Sequence, residues 1–325
     1  MKRKISLLMI ATLLMGSVVG CSTNTTTDEV VTAKVAALKG PTAMGMVKMM
    51  EDEKNSTEND YEFTIAGSPD ELTPKLVNGE VDIAAIPSNL SSILYNKTDG
   101  NVVTLGINTL GVLYIVENGD NINSIQDLKG KTLYASGKGA TPEYALNYIL
   151  KANGIDPEKD LTIEYKSEHT ECLAAISAEE GAIAMLPQPF VTTAIIKNPQ
   201  IQIALDLNKE WENSTNDSLL VTGVLVARKD FVEKYPEKVS DFLEEYKESV
   251  EFTNDDLDGA AELIGAHDIV PAEVAKAAIP YCNITFIDGE EMKGKLEGYL
   301  NTLFEQSPES IGGKMPSEDF YYNQK

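Results

Sequence analysis

One pattern limits this chain more than any other: a short apolar run of β type breaks at a turn rich in glycine or proline and re-enters as a helix. In residues 35–50, VAALKGPTAMGMVKMM, the run Val35, Ala36, Ala37, Leu38 gives way to Lys39-Gly40-Pro41-Thr42. Met46, Val47, Met49 and Met50 then follow at helical spacing. The pattern returns where VDIAAI (81–86) breaks at Pro87-Ser88-Asn89, and where TLYA (132–135) breaks at Ser136-Gly137-Lys138-Gly139-Ala140-Thr141-Pro142. Its fourth occurrence is AIAML (182–186) before Pro187-Gln188-Pro189. Strands that alternate with helices in this way call for an α/β protein. Thr42, Ser88 and Thr141 stand where helix N-caps belong, and serine and threonine cap helices whether or not a ligand is present. The first N–H groups of such helices have no partner inside the helix and carry the positive end of its dipole. They therefore suit an anion or a polar ligand atom.

Between these motifs, 61–66 and 102–108 read as strands of the same sheet. At Asn108-Thr109-Leu110-Gly111 the chain leaves that sheet, and 112–117 opens a second one. The segment 219–228 carries the chain back. The remainder is helical: Val239, Phe242, Leu243, Tyr246 and Val250 share one face, as do Met292, Leu296, Tyr299 and Leu303 of another helix. These helices should pack on the outside of the first sheet and contribute stability more than chemistry.

Composition removes several functions. A formal net charge of −24 makes nucleic acid an unsuitable partner and argues against a polybasic membrane patch. With only His169 and His267, a histidine-rich zinc or manganese site cannot be built. The glycines form neither a G-x-G-x-x-G fingerprint nor a Walker lysine-serine pair, and no cofactor or metal is expected. Glu168-His169 and Glu171-Cys172 are explained as a helix start, so no set of nucleophile, base and orienting group is visible. Cys172 and Cys282 are expected as free, buried thiols. Lys39 and Lys138 are the only basic residues in the four turns, and no arginine adjoins them, so a bidentate clamp on a polyanion is missing. Tyr114, Tyr134, Phe190 and Trp211 could stack on a ring, or serve as core or rim.

The N-terminus adds a compartment. Lys2, Arg3 and Lys4 precede an apolar segment (5–19) too short for a comfortable membrane span, which reads as a signal peptide. It ends Val18-Val19-Gly20-Cys21, which resembles the lipobox of bacterial lipoproteins. That resemblance implies a signal peptide over 1–20, lipid on Cys21 and a flexible tether over 21–30.

The whole mature chain resembles the substrate-binding lipoprotein of a bacterial ABC importer, within the group associated with nitrate, sulfonate, taurine and thiamine-precursor uptake. The stretches LKGPTAMGMVKMM, NGEVDIAAIPSNL and DLKGKTLYASGKGATPEYAL carry the likeness. It implies a periplasmic-binding-protein type II fold: two α/β lobes joined by two hinge crossovers, lobe 1 being 31–109 plus 224–325 and lobe 2 being 110–223. It implies an extracytoplasmic, lipid-anchored monomer that closes on a small solute by a hinge near Thr109 and Thr222. The solute then passes to an ABC permease and its ATPase. The expected contacts are Pro41, Thr42, Ala43, Ser88, Asn89, Gly139, Ala140, Thr141 and Gln188, with a small sulfonate, oxyanion or neutral heteroaromatic as ligand. Proteins of this fold also include enzymes of menaquinone and pyrimidine biosynthesis. The cysteine-rich motif of the thiamine-pyrimidine synthases is missing here, and a lipoprotein signal argues against both kinds. A ligand-sensing partner of a membrane receptor is the other alternative.

Overall fold

A computed structural model describes residues 31–57, 60–214 and 218–323. The expected signal peptide, the expected lipidation at Cys21 and the expected tether lie outside the described residues. The strands are β1 (Ala33–Leu38), β2 (Tyr61–Ala66), β3 (Ile83–Pro87), β4 (Val102–Thr109), β5 (Leu113–Asn118), β6 (Thr132–Ala135), β7 (Thr162–Tyr165), β8 (Ile183–Pro187), β9 (Ile201–Asp206), β10 (Gly223–Arg228) and β11 (Ile284–Ile287). The helices are α1 (Pro41–Met44), α2 (Val47–Asn55), α3 (Pro69–Val77), α4 (Ser88–Lys97), α5 (Thr141–Ala152), α6 (His169–Ala178), α7 (Phe190–Lys197), α8 (Leu207–Ser214), α9 (Lys229–Lys234), α10 (Pro236–Asp255), α11 (Leu257–Ala266), α12 (Ala272–Ala278) and α13 (Gly289–Gln306).

Two mixed sheets result, one in the order β11-β4-β10-β3-β1-β2, the other β7-β6-β8-β5-β9. Their plans correspond. In the first, β1 lies parallel to both β2 and β3, and the antiparallel β10 separates β3 from β4. In the second, β6 lies parallel to β7 and β8, and the antiparallel β5 separates β8 from β9. Strands covered by helices on both faces need apolar residues at successive positions instead of alternate ones. That is why β3 reads IAAIP and β4 is buried along its whole length.

The chain passes between the sheets at 110–112 and again at 219–222. The two passages lie side by side: the Thr222 N–H donates to Thr109 O at 3.0 Å and its hydroxyl donates to Leu110 O. Asn283, just before β11, also holds this junction, its side chain donating to Gly111 O while its own carbonyl accepts from Leu110 N–H.

The amphipathic faces of α10 and α13 are buried at the expected positions. Yet α13 does more than cover the first sheet. It also packs against α5, and its Tyr299 lies 5.5 Å from the Trp211 ring, which in turn stands 4.6 Å from Tyr148 of α5. Trp211 is therefore core. Cys172 and Cys282 are buried and unpaired. The helix expected as one piece after Gly40-Pro41 is two, α1 and α2, divided at Gly45-Met46. A Cβ on Gly45 would come within 2.8 Å of Tyr246 Oη and 3.2 Å of both Ile284 and Val250, so the chain turns where α10 and β11 press against it.

Candidate functional site

The four turns follow β1, β3, β6 and β8, which are the corresponding pair of parallel strands in each sheet. In open α/β sheets, the crevice beyond the carboxyl ends of such strands is where ligands bind. Hydrogen bonds tie the turns to the two passages between the sheets. Ser88 N–H donates to Thr222 O at 3.2 Å and Ser88 Oγ to Val221 O at 2.5 Å. Gln188 N–H donates to Val112 O at 2.9 Å. Asn108 Nδ2 donates to Thr42 O at 3.4 Å. Gly223 is required at this point: a Cβ there would meet Asn108 Oδ1 at 2.5 Å and the Thr42 methyl at 2.8 Å.

The starts of two helices, one from each half, are joined directly by a buried bond from Thr141 Oγ1 at the start of α5 to Asn89 Oδ1 at the start of α4, 3.1 Å. Thr42, Ser88, Asn89, Thr141 and Gln188 are thus gathered around the crossing. Gly139 is not among them. It is exposed, and its N–H is taken by the Glu143 carboxylate at 2.5 Å, while the Ala140 N–H is taken by Gly137 O at 3.1 Å. At α1 the Ala43 N–H is spent on Gly40 O, and Pro41 has none to offer.

The expected caps are displaced by one or two residues. Gly40, Pro87 and Ala140 occupy the N-cap positions, and none of the three starts has a side-chain cap bond. Gly40 holds φ 130°, where a side chain would be strained. The hydroxyls are used elsewhere: Thr42 Oγ1 donates back to Leu38 O at 2.9 Å, Ser88 to the second passage, and Thr141 to the opposite half.

Three buried polar atoms nearby lack any hydrogen-bond partner: Gln188 Nε2, Tyr246 Oη and Tyr299 Oη. Tyr299 Oη lies beside the Thr141 and Ser88 hydroxyls without bonding geometry to either, and burial pushes its pKa up to about 12. Tyr246 Oη stands in the same relation to Asn108, and its pKa is also raised by burial.

A second cluster brings together residues that stood out in the sequence only singly or not at all. Ser136, at the end of β6, shares a 2.5 Å hydrogen bond with His169 Nδ1 at the start of α6. The His169 ring packs 5.0 Å from Phe190 at the start of α7. Burial holds the His169 pKa below the usual value, against a weaker upward pull from Glu168. The signal was position: each of these residues stands just beyond a strand of the parallel trio β7-β6-β8. Among the described residues no carboxylate hydrogen-bonds to this imidazole, so the pair has no orienting acid.

Positive charge is scarce around the crossing. Lys39 and Lys138 are exposed, the latter over the Tyr165 ring at 5.6 Å. Arg228, the only arginine among the described residues, is engaged by Asp82 and Asp230. No described group of three or more His, Cys, Asp or Glu side chains could hold a metal ion.

A pocket of about 270 Å³ opens between the halves, with Gln188, Ile195, Ile196 and Ile203 on one side and Ala277 and Tyr281 on the other. The larger depression, about 1020 Å³, runs along α5 and β7 and takes no part in the crossing.

A family model described as "ABC transporter, phosphonate, periplasmic substrate-binding protein" matches residues 45–276. No curated protein sequence matches. Among solved structures, an ABC transporter from Parabacteroides distasonis is 25% identical with a TM-score of 0.77, over 90% of this chain and 99% of that one. The periplasmic aliphatic sulphonate binding protein SsuA of Escherichia coli is 14% identical with a TM-score of 0.72, over 90% and 92%. The periplasmic nitrate-binding protein NrtA of Synechocystis PCC 6803 is 17% identical with a TM-score of 0.56, over 81% and 75%. The fold is that of the periplasmic binding proteins, two α/β lobes of type II strand order.

Proposed function

Because this chain belongs to the phosphonate family of periplasmic substrate-binding proteins of ABC transporters, we propose that it closes its lobes on one small polar, anionic or heteroaromatic solute and hands it to a permease. The lobes divide as 31–109 with 224–325, and 110–223. Sheet membership supports this division, since β1–β4, β10 and β11 form one sheet and β5–β9 the other. The hinge is the pair of passages at Thr109 and Thr222. Cys21 carries the lipid that keeps the protein, a monomer, at the outer face of the cell membrane. The permease and its ATPase complete the importer, and the protein itself performs no chemistry. The Ser136–His169 pair, without an orienting carboxylate, fits a binding role better than a catalytic one.

The Thr141–Asn89 bond carries this reading. It joins the starts of two ligand-type helices, one from each lobe, as a closed cleft requires. Ligand contacts are assigned to Thr42, Ser88, Asn89, Thr141 and Gln188, with Pro41, Ala43, Gly139 and Ala140 shaping the turns. A thermal-shift screen of sulfonates, phosphonates, nitrate, pyrimidines and amino acids tests it. A true ligand at 100 times its dissociation constant adds about 2.7 kcal/mol. Thr42→Arg or Thr141→Arg should abolish that shift in a folded protein, and unchanged affinity in both variants would refute the site.

A further inference from the structure

The pocket between α7 and α12 narrows the chemistry of the solute. Gln188 is 2% exposed. Its Oε1 accepts from Thr192 N–H at 3.3 Å and from Thr192 Oγ1 at 2.8 Å. Those bonds fix the amide, because exchanging its oxygen and nitrogen would set an NH₂ group against an N–H. The free end is therefore Nε2, a fully buried donor with no partner in the protein, on a residue that lines the pocket. Buried donors are almost always paired, so one left unpaired beside a pocket points to an acceptor that arrives with a ligand.

Apart from Thr192, the rest of the wall is formed by Ile195, Ile196, Ile203, Ala277 and Tyr281, drawn from both lobes. The large hydrophobic side chains exposed among the described residues are Val77, Ile196 and Tyr281. The last two, 49% and 46% exposed, line this one pocket from opposite sides. Neither Lys39, Lys138 nor Arg228 lines it.

We propose that the solute carries an apolar body, an aromatic ring or a short branched or linear alkyl group, that seats in this pocket. A single acceptor group on it, neutral or carrying no more than one negative charge, takes the Gln188 side-chain N–H. This rests on the solute-binding reading above and makes it narrower: a bare inorganic oxyanion or a phosphate dianion would leave the apolar walls uncovered and find no cation. About 270 Å³ accommodates one ring with a small substituent and falls just below the usual range of ligand-site volumes.

The test is calorimetric titration of the full chain in detergent with methanesulfonate, butanesulfonate, benzenesulfonate and benzamide, probes that vary the body separately from the head group. Burial of the extra carbons should make butanesulfonate and benzenesulfonate bind roughly tenfold or more tighter than methanesulfonate. Ala277→Trp fills the pocket from an exposed helix position and should erase that preference, with the unliganded melting temperature unchanged. Gln188→Glu, which presents an acceptor in place of the donor, should weaken benzamide and benzenesulfonate together. Equal affinity for methanesulfonate and benzenesulfonate, or a preference that survives Ala277→Trp, overturns the proposal. If the broad thermal-shift panel yields a ligand without an apolar body while these four fail, the pocket assignment falls alone. If neither set gives any shift, the solute-binding reading falls with it.

Discussion

The two lobes meet along two seams of opposite character. Where α13 of one lobe meets α5 and α8 of the other, Trp211 and Tyr299 are wholly buried, their rings 5.5 Å apart, and the buried Thr141–Asn89 bond runs nearby. Where α12 meets α7, Tyr114 Oη donates to Tyr281 O at 2.8 Å and the rings meet edge-on, yet Tyr281 and Ile196 remain half exposed around a pocket. The first seam is built like a protein interior. The second leaves large apolar side chains half exposed. A binding protein needs both: enough contact to make the closed form accessible, and enough missing contact for the solute to favour it.

The contrast can be broken most directly at Trp211. Trp211→Ala should cost about 3–5 kcal/mol in urea unfolding, as expected for a large ring removed from a packed core. A loss below about 1 kcal/mol would mean that the first seam is not interior-like. Next comes Thr141→Val, which leaves Asn89 Oδ1 without its donor and should cost about 1–3 kcal/mol. Unchanged stability would mean that this bond contributes nothing to the joining of the lobes.

A smaller effect is a dependence on pH. Burial holds His169 and His267 below their ordinary value of 6.5, so the unfolded chain takes up protons first as the pH falls. Their contribution to stability is complete above about 6.5, declines below it, and levels off once the folded-state values are passed. His169→Gln, at the more deeply buried site beside the second seam, should flatten most of that decline in chemical unfolding followed from pH 7 down to about 5. The smallest change should be Tyr281→Ala, which at a half-exposed site alters unliganded stability by no more than about 0.5 kcal/mol. It should nevertheless weaken ligands with an apolar body measurably in titration. A large stability loss there would erase the distinction between the seams.

Much of this arrangement was open to a reader of the sequence. Strand β2 and helix α7 occur with the expected bounds, because alternation in YEFTIA and the Pro187-Gln188-Pro189 break are local signals. The division of the helix at Gly45 was not, since it answers to Tyr246, Val250 and Ile284, about two hundred residues away. The caps were misplaced because the residues that hold the N-cap positions, Gly40, Pro87 and Ala140, have no polar side chain to announce them. Two of the hydroxyls that looked like caps, on Ser88 and Thr141, are committed to partners far along the chain, and the third, on Thr42, turns back to Leu38 O. The role of α13 was hidden for the same reason: its heptad-like face shows that Tyr299 is buried, not that Trp211 of the opposite lobe is what buries it.

The position of β10 has a consequence for how such a chain comes into being. It lies between β3 and β4, and both pair with it and not with each other. A polypeptide made from its N-terminus therefore carries β3 and β4 as unbridged halves until residue 228 has appeared, whereas the strands of the inserted lobe are all available by residue 206. The later-encoded body can assemble first, and the earlier one must wait for a strand delivered from beyond it.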